Sequence, residues 1–296
     1  MMNPERIIVG LGEVLWDVFP DAALFGGAPA NFACSAAALG GDIVQAYVVS
    51  AVGPDELGQR AIESLLSHGV DTQCVMQVEN PTGRVLIELD STGQASYEFP
   101  DDVAWDNVPW SVELEKLAAS ADVVCFGSLA QRCAVTRETV QRFLRSSAPY
   151  TLKVFDVNLR PPPVAEATIL ESLALADVLK LNDEELPRLA SLIGATGTEV
   201  EIMRDFAKQF DLQLVALTRG ADGAVLLRDE QLSVQAGVTT EVVDTVGAGD
   251  AFTASLVLGM LAEEELGAIN EKACRVAAYV CSQPGATPGI PAELVK

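Results

Sequence analysis

The chain has 296 residues, 49% hydrophobic and 21% charged; this composition folds rather than staying disordered, and the length allows one large α/β domain or two of about 150 residues. Nineteen Lys and Arg against 42 Asp and Glu leave a net charge of −23, a field that repels a polyphosphate backbone and argues against nucleic acid as a partner. The N-terminal residues lack the basic-then-apolar pattern of a secretion signal, and no apolar run approaches the roughly 20 residues that span a bilayer; with six cysteines and no C-x-x-C pair, the expectation is a cytoplasmic protein with reduced thiols and no membrane partner.

In chain order, compact apolar runs predict buried strands at Ile7 to Leu11, Ile43 to Val49, Val123 to Phe126, Leu152 to Val157, Val178 to Leu181 and Leu214 to Thr218. Helical stretches lie between them. Pro29 precedes an Ala-rich one ending at Gly40-Gly41, Asp55 opens one carrying Ala61, Ile62, Leu65 and Leu66 that stops at Gly69, and Thr136 begins one running through Leu144. Alternating β and α implies a mainly parallel central sheet covered by helices on both faces, a three-layer α/β/α fold. Two regions break the rhythm: Glu13 to Phe25 and Arg84 to Phe99 read as short polar-alternating strands, with a turn at Asp90-Ser91-Thr92-Gly93. They form a small β-sheet lid, built by insertions at about 13–26 and 82–105 into one domain spanning 1–296 and lying over the carboxyl ends of the main strands, where open α/β sheets bind ligands.

The segment Asp244-Thr245-Val246-Gly247-Ala248-Gly249-Asp250-Ala251-Phe252 carries the chemistry. Its glycines let the backbone turn into a helix whose first amides lack intrahelical acceptors. Gly247, Ala248 and Gly249 then form an anion hole, with Asp250 at its mouth, able to take the proton of a hydroxyl attacking a phosphoryl group held there. The plainer reading is an acid that stabilises a helix N-terminus by about 0.3–1 kcal/mol.

The whole string resembles the second signature of the ribokinase-like carbohydrate kinases, the pfkB family. Gly26-Gly27-Ala28-Pro29-Ala30-Asn31 with Gly53-Pro54-Asp55-Glu56-Leu57-Gly58 is similar to the first signature, Asn182-Asp183-Glu184-Glu185 to the N-x-x-E motif, and Thr218-Arg219-Gly220 to the T-x-G turn. All four stand in family order. Gly12-Glu13-Val14-Leu15-Trp16-Asp17 and Phe155-Asp156-Val157-Asn158-Leu159-Arg160 look most like fructokinase segments.

The resemblance implies a ribokinase-like fold, ATP and Mg2+ as cofactors, and a sugar as substrate. It makes Asp250 the catalytic base and places Asp17, Gly27 and Asn31 on the sugar, Asp17 as an acceptor of paired hydroxyls. Arg84 and Arg160, each a planar fork of donors, become further sugar or phosphate contacts. Asn182, Glu185, Thr218, Gly220 and Cys274 fall around the nucleotide, with Glu185 organising Mg2+-bound phosphate through water. Asp244 and carbonyls of Cys281 to Ala286 would hold K+. Cys274 stands where relatives often carry Asn or His near adenine, so the base pocket relies on apolar packing. Lys180, Arg219 and Arg275 are candidates to offset the acidic field that ATP meets.

The expected reaction is transfer of the γ-phosphoryl group of ATP to fructose, giving fructose 6-phosphate. The alternatives are a 2-keto-3-deoxygluconate kinase, whose acidic substrate also suits Arg160, a ribokinase, and a non-catalytic sugar- or nucleotide-binding regulator. Val85, Ile87 and Leu89 offer a lid face for a homodimer or for the protein's own core. Other chemistries lack their parts. There is no Walker A string, Gly10-Leu11-Gly12 has Leu15 where a dinucleotide fingerprint needs its third glycine, and the sole histidine, His68, sits at a helix end in an exposed or capping position.

Overall fold

The computed structural model describes residues 6–18, 22–89, 95–161 and 163–295, except for the side chains of 87–89 and 95–97. The expected turn at Asp90-Ser91-Thr92-Gly93 and the side chains of Ile87 and Leu89 lie outside the described residues.

The first half of the chain gives β1 (Arg6–Leu11), β2 (Leu15–Val18), β3 (Ala23–Gly26), β4 (Val44–Val52), β5 (Val70–Asp71), β6 (Val75–Gln77), β7 (Gly83–Leu89) and β8 (Ala95–Glu98). The second half gives β9 (Val123–Phe126), β10 (Leu152–Asp156), β11 (Val178–Asn182), β12 (Leu214–Thr218), β13 (Ala224–Arg228) and β14 (Gln231–Gln235). The helices are α1 (Ala28–Gly40), α2 (Glu56–Ser67), α3 (Val112–Ser120), α4 (Ala134–Ser146) and α5 (Glu166–Leu175). They continue with α6 (Leu186–Ile193), α7 (Glu199–Phe210), α8 (Ala248–Leu261), α9 (Leu266–Cys281) and α10 (Ala292–Val295).

The central sheet runs β14-β13-β12-β11-β10-β9-β1-β4-β5, with β6 also paired to β4. Neighbours from β5 to β12 are parallel, because a helix or longer connection carries the chain back between strands. The sequence reading names no strand after Thr218, yet β13 and β14 extend the sheet antiparallel. Only a short turn separates β12 from β13, too short for a parallel crossover, and β13 returns to β14 through Asp229 and Glu230, Asp229 at φ 54°. That hairpin reads as surface loop because Leu232 and Val234 on its outer strand stay exposed.

Period-two alternation builds the three layers. Ile8, Val123, Cys125, Val154, Val178, Leu214 and Ala216 pack with Phe32 of α1, Phe252 of α8 and Ile269 of α9. Their neighbours Val9, Val124, Phe126, Phe155, Leu179 and Leu217 turn to the other side, against Phe143 of α4, Leu173 of α5 and Phe206 of α7. The strand order reverses at β1, which lies between β4 and β9, and this puts the switch point at which open α/β sheets bind ligands at the carboxyl ends of β1, β9, β10 and β11.

A second sheet, β3-β2-β7-β8, grows from the chain on either side of β4. Trp16 anchors it to α2. The indole Nε1 donates to the Leu57 carbonyl at 3.0 Å, the Arg60 guanidinium lies 4.5 Å from the ring centroid, and Phe25 meets the ring edge-on.

Candidate active site

The anion loop begins where the chain enters α8. Gly247 is the N-cap with φ 79°, and a Cβ there would collide with the backbone of Ala286, so only glycine fits. The Ala248 N–H reaches the Thr245 carbonyl at a long 3.4 Å, while the amides of Gly249 and Asp250 find no acceptor among the described residues. Asp250, in the first turn, is partly accessible at the surface but enclosed by protein on most sides. Its Oδ2 accepts from Asn31 Nδ2 at 2.9 Å. Burial first, and the charge of Asp156 next, push its carboxyl up to about 6, against the hydrogen bond from Asn31 and the charges of Lys180 and Arg160.

Beneath the loop lies a buried ion pair. Lys180 Nζ sits 3.0 Å from Asp156 Oδ1, and Asp156 Oδ2 accepts from Thr253 Oγ1 of α8 at 3.1 Å. The register of β10 on β11 places Asp156 opposite Lys180. A Cβ on Gly249 would lie 3.1 Å from Lys180 Nζ, so the second glycine of the loop lets the ammonium come up under the amides. Burial opposes the lysine's charge, but Asp156, Glu185 and Asp250 outweigh it and raise the pKa. Of the three cations expected to offset the acidic field, Lys180 alone lies under this loop: Arg219 pairs with Glu199 at 3.7 Å, and Arg275 is exposed on α9.

Glu185 and Asn182 lock each other. Glu185 Oε2 accepts from the Asn182 N–H at 2.9 Å, Oε1 accepts from the Leu159 N–H at 2.8 Å, and Asn182 Oδ1 accepts from the Glu185 N–H at 2.8 Å. Burial raises the Glu185 pKa and Lys180 opposes the rise. Each oxygen keeps a lone pair beyond its backbone bond, which suits a water shell around Mg2+ rather than direct ligation. Asp244 joins two loops, Oδ1 accepting from Val246 N–H at 3.0 Å and Oδ2 from Gly285 N–H at 3.2 Å; K+ there would share oxygens that already carry backbone bonds.

On the small sheet, burial pushes the Asp17 carboxyl up to about 6, with Arg160 lowering and Asp244 raising it. Arg160 is exposed and donates to its neighbour's carbonyl, Leu159 O, at 3.0 Å. Gly27, at φ 109°, precedes α1 where a Cβ would strike the Glu13 carbonyl, and so brings Asn31 to Asp250. Asn31 and Arg160 therefore act directly on Asp250, Gly27 sits one turn before Asn31, and Asp17 is linked to them through the charge of Arg160. Arg84 is not among them. In the parallel β2/β7 pair Asp17 stands opposite Val85 and Trp16 opposite Arg84. Arg84 thus projects from the other face of the small sheet, towards Asp55, whose pKa is held low against burial by Thr82, the Gly58 N–H and the Arg84 charge. The expected sugar contact from Arg84 is corrected by this register.

On the nucleotide side, Thr218 Oγ1 donates to Leu181 O at 3.4 Å and Gly220 turns at φ 51°. Cys274, 6% exposed, rests against Asn270 inside the packing of α9 on the β13–β14 hairpin and presents no polar group outward. Val238, Val242, Val243 and Val246 are exposed on the segment leading into the anion loop. All six cysteines are free thiols. His68 is the C-cap of α2, its Nδ1 2.7 Å from Ser64 O. No helix among the described residues is long and apolar enough to cross a membrane. Sequence reasoning did not single out Glu13, Asp156 or Thr253, whose partners come from other elements.

A model of the pfkB family carbohydrate kinases matches residues 22–293. PH1459 of Pyrococcus horikoshii, an uncharacterized sugar kinase, is 32% identical over 273 residues, covering 86% of this chain and 83% of its own. Its crystal structure superposes with a TM-score of 0.81 over 95% of this chain and 94% of that one, and it has also been solved in complex with ATP. A fructokinase of Escherichia coli is 30% identical over 95% of both chains. A double-mutant fructokinase of Vibrio cholerae, in its fructose-, ADP- and potassium-bound form, shares the fold with a TM-score of 0.82 at 24% identity, covering 99% of this chain and 98% of its own. The fold is thus ribokinase-like, and the chain belongs to the pfkB family of carbohydrate kinases.

Proposed function

We propose that this kinase transfers the γ-phosphoryl group of ATP to the 6-hydroxyl of fructose. The observation that carries the reading is Asp250 in the first turn of α8, beside two amides without acceptors among the described residues, with Asn31 bonded to it and Lys180 beneath Gly249. The amides of Gly249 and Asp250 face the terminal phosphate, and one well-placed donor of this kind is worth about 2.7–4 kcal/mol in the transition state. Asp250 remains a far weaker base than an alkoxide, so it takes the hydroxyl proton late, as the bond to phosphorus forms, which a loose transition state allows. Asn182 and Glu185 would hold Mg2+ through water, and the ion would there neutralise phosphate charge. Asp17 accepts from sugar hydroxyls, and the small sheet closes as a lid that excludes competing water. The exposed valines before the loop offer adenine an apolar seat. Six free thiols suit the reducing cytoplasm.

Arg160 favours a second reading. An exposed guanidinium whose charge acts on Asp17, with only one of its donors bonded, to Leu159 O, matches a sugar carboxylate, the substrate class of 2-keto-3-deoxygluconate kinases. Coupled ADP release with fructose, 2-keto-3-deoxygluconate and ribose decides between them. Fructose is expected to give the highest kcat/KM; preference for the acidic sugar supports the second reading, and ATP turnover with none of the three removes both. Asp250→Asn should lower kcat about 10²–10⁴-fold with sugar KM little changed, and unchanged turnover would exclude Asp250 as the base.

A further inference from the structure

Glu13 follows β1 where the chain leaves the central sheet, and it is 1% exposed. The N–H groups of Glu13 itself and of Ala28, the first residue of α1, lie near enough to its carboxyl to favour its charge, and Gly27, the N-cap of that helix, has no side chain to cap it. Its Oε2 has no hydrogen-bond partner. Neither has Oδ1 of Asn31, one turn along the same helix, while Nδ2 of that residue is committed to Asp250. Two buried acceptors without donors at one helix end require an explanation. Glu13 alone of the two can supply a donor, by keeping its proton.

The surrounding charges act in the same direction. Asp250 faces Glu13 from α8 and Arg160 from the loop after β10; the Cys125 thiol lies on β9, and Asp156 and Lys180 lie beyond Asp250. Burial first, then the Asp250 charge, push Glu13 up to about 7 against its backbone bonds and Arg160. The two carboxyls titrate as a coupled pair.

We propose that Glu13 is a positioning residue of phosphoryl transfer: protonated, it donates to Asn31 Oδ1, so turning Nδ2 to Asp250, and leaves the pair's single negative charge on Asp250. This rests on the kinase reading with Asp250 as proton acceptor. Ionising Glu13 removes the donor, releases the Asn31 amide to flip and sets a second negative charge beside the incoming phosphates.

The test is the dependence of kcat and kcat/KM on pH, from about 5 to 9, for the native enzyme and for Glu13→Gln, Glu13→Leu and Asp250→Asn. The native profile should fall above about pH 7 by roughly tenfold per unit. Glutamine keeps an acceptor for Ala28 and a permanent donor for Asn31, so Glu13→Gln should lose the alkaline fall. Glu13→Leu, with no donor, should lose at least about tenfold in kcat at every pH with sugar KM within about twofold, and Glu13→Gln should recover most of that loss. A Glu13→Gln profile that superimposes on the native one, alkaline fall included, overturns the proposal, as does native kcat in Glu13→Leu. If Glu13→Leu does not fold, the glutamine profile decides alone. Turnover surviving in Asp250→Asn removes the kinase base and this inference with it; a dead Asp250→Asn beside an unshifted Glu13→Gln removes this inference only.

Discussion

Lys180 performs two tasks that substitution can separate. As the partner of Asp156 it neutralises a carboxylate that is 5% exposed. As the cation beneath Gly249 it sits under the amides proposed to receive phosphate. Removing one member of a buried pair leaves the other uncompensated and costs about 3–5 kcal/mol, whereas replacing both by neutral groups is often harmless. Lys180→Met is therefore expected to lower stability by that amount in urea melts, and Lys180→Met/Asp156→Asn to restore it to within about 1 kcal/mol of native. Turnover of the double variant should stay about 10²–10³-fold down. Recovery of turnover along with stability would assign Lys180 a purely structural task. The glycine turn into α8 with an acid in its first turn was legible in the sequence because its logic is local: glycines, a helix start and an acid lie within four residues. The ion pair beneath was not, since Asp156 and Lys180 stand 24 positions apart and meet only through the pairing of two parallel strands.

Strand register also decides which side chains of the small sheet share the face of Asp17. The alternation of Glu13 to Phe25 and Arg84 to Phe99 shows that strands form there, and the structure has β2, β3, β7 and β8 in those stretches. It does not show which residue of one stretch stands beside which of the other, and a one-residue slip would have put Arg84 on the face of Asp17. The observed pairing puts Val85 there instead. Asp17→Asn is accordingly expected to raise the sugar KM at least about tenfold, while Arg84→Ala leaves it within about twofold. Steady-state kinetics on the two variants check this, and a large KM effect of Arg84→Ala would show that the face assignment fails when sugar binds. The parallel strands from β1 to β12 were legible as compact apolar runs, since both faces are covered. The β13–β14 hairpin was not, because half of its outer strand faces solvent and it lacks the fully apolar pattern.

At the scale of the molecule, the enclosed acids make stability depend on pH in an unusual direction. Glu13 is pushed up to about 7, and Asp17 and Asp250 to about 6, each above its unfolded value, burial being the first cause in all three. A carboxyl raised in the folded state keeps its proton after the unfolded chain has lost its own, so stability declines as pH rises from the unfolded pKa to the folded one and levels off beyond. The linkage for Glu13 alone is about 3 kcal/mol across that interval. Asp55, held low, acts oppositely, but its contribution is already complete above about pH 4 and does not overlap the window. Lys180, raised above its ordinary value, contributes fully at every pH below it. Urea denaturation between about pH 5 and 8 should therefore show native stability falling by a few kcal/mol, with Glu13→Gln lacking its share of the slope and exceeding the native protein most at the alkaline end. A pH-independent difference between the two proteins would mean that Glu13 ionises as readily folded as unfolded, and would place its charge in contact with water rather than behind α1.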